Sequence, residues 1–248
     1  MNFCNRNFAG KTFLIIGATS GIAKAIVNYL ATTGAHLILT GRNKDLLARV
    51  SQSLAVDDTE TFSCDITMET DIDSLVAHLN SLDGLVFCSG INKRLPLKML
   101  KSNAIEEIFK VNVYGFILLV SKLYKHGKLN NGSSVVAISS VASRYASLGN
   151  ILYMSTKGAL ESAIRGMALE LAKNKIRINA VRPGMIYTAM STALTEDIVQ
   201  KDLVKYPLQR YGLPEDVAYA VAYLLSEESS WITGSFITMD GGLTLNAE

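Results

Sequence analysis

Tyr153 and Lys157 stand four residues apart in I-L-Y-M-S-T-K-G-A-L, and Ser140 lies thirteen residues upstream. A phenol is a poor proton donor near neutral pH because its pKa is about 10. A fixed positive charge beside it stabilises the phenolate and turns the group into a usable general acid or base. Bringing that pKa to about 7–8 takes roughly 3–4 kcal/mol. On a helix, positions i and i+4 share a face, so the Lys157 ammonium can act on the Tyr153 ring oxygen. Spacing alone is weak evidence, because Tyr124 and Lys128 repeat it. That second pair lacks support. Gly127 and Asn130-Asn131-Gly132 read as a helix end and a turn, and the residue thirteen before Tyr124 is Val111, which has no hydroxyl.

The elements that must hold these groups alternate along the chain. Apolar runs predict strands over 12–16, 36–40, 61–64, 85–89, 134–139, 177–181 and 236–239. Helical patterns fill the gaps, over 22–33, 44–54, 70–82, 102–125, 150–173 and 214–225, with Asn43 as a cap and Pro214 as a first-turn residue. The Tyr/Lys pair falls on the 150–173 helix. Such repeated strand–helix units predict an α/β fold: a Rossmann-like, doubly wound parallel sheet of about seven strands, flanked by helices on both faces, in a single domain over 1–248. The segment 187–211 reads as an insertion that can serve as a substrate lid, with Met190, Ala193, Leu194, Ile198 and Leu203 as its apolar face.

The first strand–turn–helix carries a nucleotide signal. Gly17-Ala18-Thr19-Ser20-Gly21-Ile22-Ala23 leaves a strand and opens a helix, where backbone N–H groups and the helix dipole can hold a pyrophosphate. Gly17 permits the tight turn and Gly21 the close approach of phosphate oxygens.

With these motifs in order, the chain resembles the short-chain dehydrogenase/reductase family, nearly end to end, and most closely the branch of 3-oxoacyl-ACP reductases and related ketoreductases. The glycine turn resembles T-G-x-x-x-G-I-G. Cys64-Asp65-Ile66 resembles the adenine-contacting aspartate motif, and Phe87-Cys88-Ser89-Gly90 occupies the place of N-N-A-G. Val111-Asn112-Val113-Tyr114-Gly115 supplies the family's asparagine, and Arg182–Thr188 resembles the P-G-x-x-x-T element beside the nicotinamide. The resemblance implies a catalytic set of Asn112, Ser140, Tyr153 and Lys157. Ser140 would bond the substrate oxygen, Tyr153 pass the proton, Lys157 lower its pKa and bind the nicotinamide ribose, and Asn112 hold a water linking Lys157 to solvent. It implies a cofactor site of Gly17, Thr19, Ser20, Gly21, Ile22, Arg42, Asp65, Ile66, Gly90, Tyr153, Lys157, Pro183, Gly184, Ile186 and Thr188. It also implies a homotetramer built on the 102–125 and 150–173 helices.

Thr40-Gly41-Arg42-Asn43 ends the second strand without the acid that NAD-specific enzymes place there, and Arg42 can pair with a 2′-phosphate, so the expected cofactor is NADP rather than NAD. The expected reaction interconverts a ketone and a secondary alcohol by hydride transfer. An NAD-dependent alcohol or sugar dehydrogenase of the same family and a cofactor-sensing binding module are the alternatives. Ile16, Phe87 and Cys88 depart from the family pattern and predict that apolar packing between strands one and four replaces polar bracing. Lys93, Arg94, Ser143, Arg144 and Tyr145 could meet an anionic substrate group, such as an acyl-carrier arm, although solvated loop charges are the plainer reading.

Composition sets the outer limits. A hydrophobic content of 49% suits a buried parallel sheet, but the longest apolar run, Phe116–Val120, is far short of a membrane span. Net charge +2 without a basic stripe gives no case for nucleic acid. Cys4, Cys64 and Cys88 are odd in number and unclustered, which speaks against a zinc site and for a reducing compartment. The start has no secretory h-region, so a cytoplasmic protein is expected.

Overall fold

The computed structural model describes residues 6–54, 58–188 and 196–246. Seven parallel strands form one sheet: β1 (Thr12–Ile16), β2 (His36–Gly41), β3 (Thr59–Ser63), β4 (Leu82–Phe87), β5 (Leu129–Ile138), β6 (Arg177–Pro183) and β7 (Phe236–Met239). Their order is β3-β2-β1-β4-β5-β6-β7. The helices are α1 (Gly21–Ala31), α2 (Lys44–Gln52), α3 (Glu69–His78), α4 (Ser102–Phe109), α5 (Gly115–Lys125), α6 (Ile151–Leu171), α7 (Glu196–Leu203) and α8 (Pro214–Leu225).

Alternation of side chains along each strand divides the core in two. Phe13 and Ile15 of β1 join Ile26 and Leu30 of α1, Leu47 of α2 and Val217 and Val221 of α8 on one face. Leu14 and Ile16 join Ile72 of α3, Phe116 and Leu119 of α5 and Leu160 and Ile164 of α6 on the other. Both faces are therefore covered, as a parallel sheet requires. Each fully buried Leu, Ile or Phe contributes about 1.5–3 kcal/mol of transfer free energy. The helix starts follow local chemistry: Ser20 Oγ accepts from Ala23 N at 3.3 Å, and Asn43 Oδ1 accepts from Leu46 N at 3.0 Å.

Ile16 lies opposite Phe87 in the β1–β4 register, and Phe87 meets the Phe116 ring edge-on at 5.1 Å. The apolar exchange between these strands is thus carried by Ile16, Phe87 and Phe116. Cys88 lies past the end of β4, with its N–H bonded to the Ile16 carbonyl at 2.9 Å.

Two expectations need correction. The predicted 102–125 helix is not continuous: α4 and α5 are joined by a π-helical turn, Lys110–Tyr114, centred on Asn112. Hydrophobic periodicity cannot show this, because the apolar stripe continues through the wider turn. Gly115 lets α5 pass the sheet edge here, since a Cβ on it would lie 2.5 Å from the Ile66 carbonyl oxygen. The strand predicted over 85–89 ends at Phe87, which frees Cys88–Gly90 to line a groove.

The repeated tyrosine–lysine spacing separates as expected. Tyr124 ends its helix with a bond to Asn174 Oδ1 at 2.9 Å, and Lys128, beyond the helix, bonds the Leu79 carbonyl. In the 187–211 segment, α7 leads to Tyr206 and Tyr211, both buried, whose rings meet edge-on at 5.4 Å. Asp202 Oδ2 accepts from the Tyr211 hydroxyl at 2.9 Å. Met190, Ala193, Leu194 and the Ile198 side chain fall outside the described residues. Among the described residues no helix is long and apolar enough to cross a membrane.

Candidate active site

Strand order reverses between β1 and β4, and in open α/β sheets ligands bind outside the carboxyl ends of the strands at such a switch point. A groove of about 230 Å³ opens there. Of the predicted cofactor residues, Gly17, Thr19, Ser20, Arg42, Asp65, Ile66 and Gly90 line it. Gly17 has φ +77°, and a Cβ on it would sit 3.0 Å from Ser89 N and 2.8 Å from Ser89 Oγ, so only glycine fits the turn. The turn is tied to β2 by Gly17 N and Ala18 N, which both donate to the Thr40 carbonyl. Asp65 shapes its own loop: Oδ1 accepts from the Thr67 N–H and hydroxyl at 2.9 and 2.8 Å. Arg42 is exposed at the rim and makes no ion pair among the described residues.

Gly21 and Ile22 continue the glycine turn into α1. Pro183, Gly184, Ile186 and Thr188 come from the far side, at the end of β6. Gly184 N donates to the Met239 carbonyl at 2.9 Å, and a Cβ on Gly21 would come within 3.1 Å of Thr188 Cγ2. Thr188 therefore reaches across to the glycine turn, but neither these four residues nor Gly21 and Ile22 line the groove itself.

The catalytic candidates meet beside Gly90. A Cβ on Gly90 would lie 3.6 Å from both Lys157 Nζ and Asn112 Oδ1. Lys157 is buried, its Nζ 5.4 Å from the Tyr153 ring centroid, and it donates to the Ile138 carbonyl at 2.7 Å. Burial lowers its pKa to about 8, with the neighbouring Cys88 and Glu161 opposing. The Ser140 hydroxyl is in hydrogen-bonding reach of the Tyr153 phenol. It also accepts from Ala142 N at 3.2 Å, which holds the serine at the start of a short 3₁₀ turn.

The surroundings of two candidates bear on their expected roles. Tyr153 is raised above its usual value by burial, and the Ser140 bond, not Lys157, is what opposes the shift. The ammonium is turned to the Ile138 carbonyl instead of the phenol. Asn112 is fully buried and almost fully engaged: Oδ1 accepts from Ile91 N at 2.8 Å, and Nδ2 donates to Ile91 O at 2.9 Å and Thr156 Oγ1 at 3.0 Å. With both amide hydrogens used, one Oδ1 lone pair is left for a water. Asn112 is first a brace between the loop after β4 and α6.

Thr156 and Cys88 are the site residues that motif reading missed. Thr156 lies at i+3 from Tyr153, a spacing that marks the same helix face, and its hydroxyl donates to the Tyr153 carbonyl at 2.8 Å. Cys88 lines the groove next to Lys157, and burial pushes its thiol up to about 12. Of the proposed anion-facing residues, Lys93 is committed to Glu107, Arg94 and Arg144 are exposed, and Ser143 Oγ is buried beside the Glu161 carboxylate.

A family model described as Enoyl-(Acyl carrier protein) reductase matches residues 17–244. A 3-oxoacyl-[acyl-carrier-protein] reductase FabG of Rickettsia bellii (strain RML369-C) is 31% identical over 96% of this chain and 99% of its own. The solved short-chain dehydrogenase/reductase of Brucella melitensis, described as a glucose/ribitol dehydrogenase, superposes with TM-score 0.90 at 30% identity, over 96% of this chain and 98% of that one. The chain belongs to the short-chain dehydrogenase/reductase family. This short-chain dehydrogenase/reductase is also similar to the 7alpha-hydroxysteroid dehydrogenase of Escherichia coli (strain K12), at 31% identity over 97% of both chains. A structure of BdcA in complex with NADPH matches it with TM-score 0.85 and 30% identity, over 94% of both chains. As a family member it is an oxidoreductase that binds a nicotinamide cofactor. Its own residues fit that group: the close-packed Gly17 turn and the exposed Arg42 line one groove, and the cation of Lys157 lies behind Gly90.

Proposed function

We propose that this enzyme is an NADP(H)-dependent ketoreductase that interconverts a ketone and a secondary alcohol, with a 3-oxoacyl-ACP-reductase-like substrate carried on an acyl-carrier arm. The observation that carries the reading is the convergence at Gly90, where the cofactor groove abuts Lys157 and Asn112. A bound nicotinamide supplies or accepts the hydride. Ser140 Oγ–H donates to the substrate oxygen and offsets its developing charge. Tyr153 Oη–H delivers the proton to that oxygen, and takes it back in the reverse direction. The buried Lys157 ammonium holds positive charge next to the reacting oxygens, and Asn112 keeps the loop after β4 pressed on α6. Arg42, with no acid at Thr40 or Gly41, supports NADP over NAD.

The 187–211 segment would close over the substrate from its anchored root at Tyr206 and Tyr211. Tyr114 at the end of the π-helical turn, Ile117 on α5 and Ile105 on α4 are exposed apolar side chains that suit a homotetramer built on these helices and α6. The free thiols of Cys64 and Cys88 suit a reducing cytoplasm. The test is NADPH oxidation across ketone classes, including acyl thioesters and sugar ketones, with Tyr153→Phe as the control. Turnover by the wild type and a loss of about 10²–10⁴-fold in Tyr153→Phe, at unchanged NADPH affinity, is the expected result. A Tyr153→Phe enzyme that keeps most of its turnover rejects the assignment.

A further inference from the structure

Glu161 lies one turn beyond Lys157 on the same face of α6, and it is as buried as the lysine. A buried carboxylate is costly unless it is paired. This one meets Arg182 of β6 in a two-pronged bond, Nε to Oε1 and Nη2 to Oε2, each at 2.6 Å. Its Oε1 also accepts from Ser139 Oγ at 2.8 Å. The Arg182 guanidinium in turn lies 4.6 Å from the Phe236 ring centroid in β7, and Arg165 of α6 lies 4.9 Å from the same ring. Burial would raise Glu161, yet Arg182, with the Ser143 and Ser139 hydroxyls, holds it below its usual value, so it is ionised.

The positions of these partners give the network a purpose. Two successive turns of α6 grip two successive residues of the chain: Lys157 holds the Ile138 carbonyl and Glu161 holds the Ser139 hydroxyl. The next residue is Ser140. On the other side, Arg182 immediately precedes Pro183-Gly184 at the end of β6. A buried ion pair contributes little net stability relative to apolar residues of the same size. What it does provide is a fixed distance and direction. We propose that Glu161 is a positioning residue that, through Ser139 and Arg182, sets Ser140 and the Pro183-Gly184 turn in register with Tyr153 and Lys157.

This role rests on the ketoreductase reading for its kinetic test and on geometry for its structural one. Removing one partner strands a buried charge and can unfold the protein, so the variants remove both charges together. Glu161→Leu with Arg182→Met should fold, melt within a few degrees of wild type and bind NADPH within about threefold, while kcat falls about 10–100-fold from misplacement of Ser140. Glu161→Gln with Arg182→Met keeps an acceptor for Ser139 and should recover most of the lost kcat. Ser139→Ala, which removes a single bond, should show the same fall in kcat at unchanged NADPH affinity, and it decides the matter if the double variants do not fold. A folded Glu161→Leu/Arg182→Met or Ser139→Ala variant with kcat within twofold of wild type overturns the proposal, as does a kcat loss matched by equal losses in NADPH affinity and stability. If the wild type reduces no ketone, the ketoreductase reading falls alone. The crystal structure of the Leu/Met variant then decides: Ser140 displaced by about 1 Å or more from its position beside Tyr153 supports the role, and an unmoved Ser140 overturns it.

Discussion

Replacing Lys157 by Met removes a buried ammonium and keeps most of its apolar stem. The lysine is 3% exposed, and burial takes its pKa from 10.5 to about 8. That depression corresponds to about 3 kcal/mol of unfavourable charge burial near neutral pH. Losing the Nζ bond strands the Ile138 carbonyl, which costs about 1–3 kcal/mol. Lys157→Met should therefore be between neutral and about 2 kcal/mol more stable than wild type at pH 7. Its turnover should drop by about 10²-fold or more.

The pH dependence isolates the charge. A lysine with a depressed folded pKa carries the full penalty below about 8, where both states are protonated, and none above about 10.5, where both are neutral. Between these limits the unfolded chain binds more protons, so wild-type stability from this group rises with pH. The advantage of Lys157→Met should then shrink by about 2 kcal/mol between pH 7 and pH 9.5. Urea denaturation of both proteins at the two pH values measures it, and other titrating groups cancel in the difference. An identical gap at both pH values would refute the reading of Lys157 as a desolvated ammonium.

Arg42→Ala should weaken NADPH binding by about 10–100-fold and leave NADH unchanged, because a charge-assisted phosphate contact contributes about 1.5–3 kcal/mol; equal losses for both cofactors in a fluorescence titration would sink the NADP assignment. Asn112→Ala leaves the Ile91 N–H and carbonyl without their side-chain partner and should cost about 2–4 kcal/mol, read as a lower denaturation midpoint. Gly17→Ala combines a left-handed φ of +77° with a contact on Ser89 backbone, and should lose about 2–4 kcal/mol together with cofactor affinity in calorimetry.

Much of the fold was legible because its signals are local. Short apolar runs marked the buried strands, Asn43 and Pro214 began helices by chemistry within one turn, and the glycine turn announced itself by residue type. The break at Lys110–Tyr114 was not legible, since a π-helical turn leaves the apolar stripe intact and its cause lies in Asn112 reaching Ile91 and Thr156. Strand ends shifted for a similar reason: pairing with a neighbour, not composition, decides where β4 stops.

The sequence by itself determined that Tyr153 and Lys157 share one face of a helix, and that a nucleotide-type turn follows the first strand. Both follow from the 3.6-residue period and from glycine's conformational range. Only the tertiary structure decided what those side chains meet. The Lys157 ammonium bonds the Ile138 carbonyl instead of the phenol, Lys93 is taken up by Glu107, and Glu161 finds Arg182, 21 residues away, on a strand. Desolvation and partner choice depend on everything packed around a charge, and no spacing along the chain encodes that surrounding.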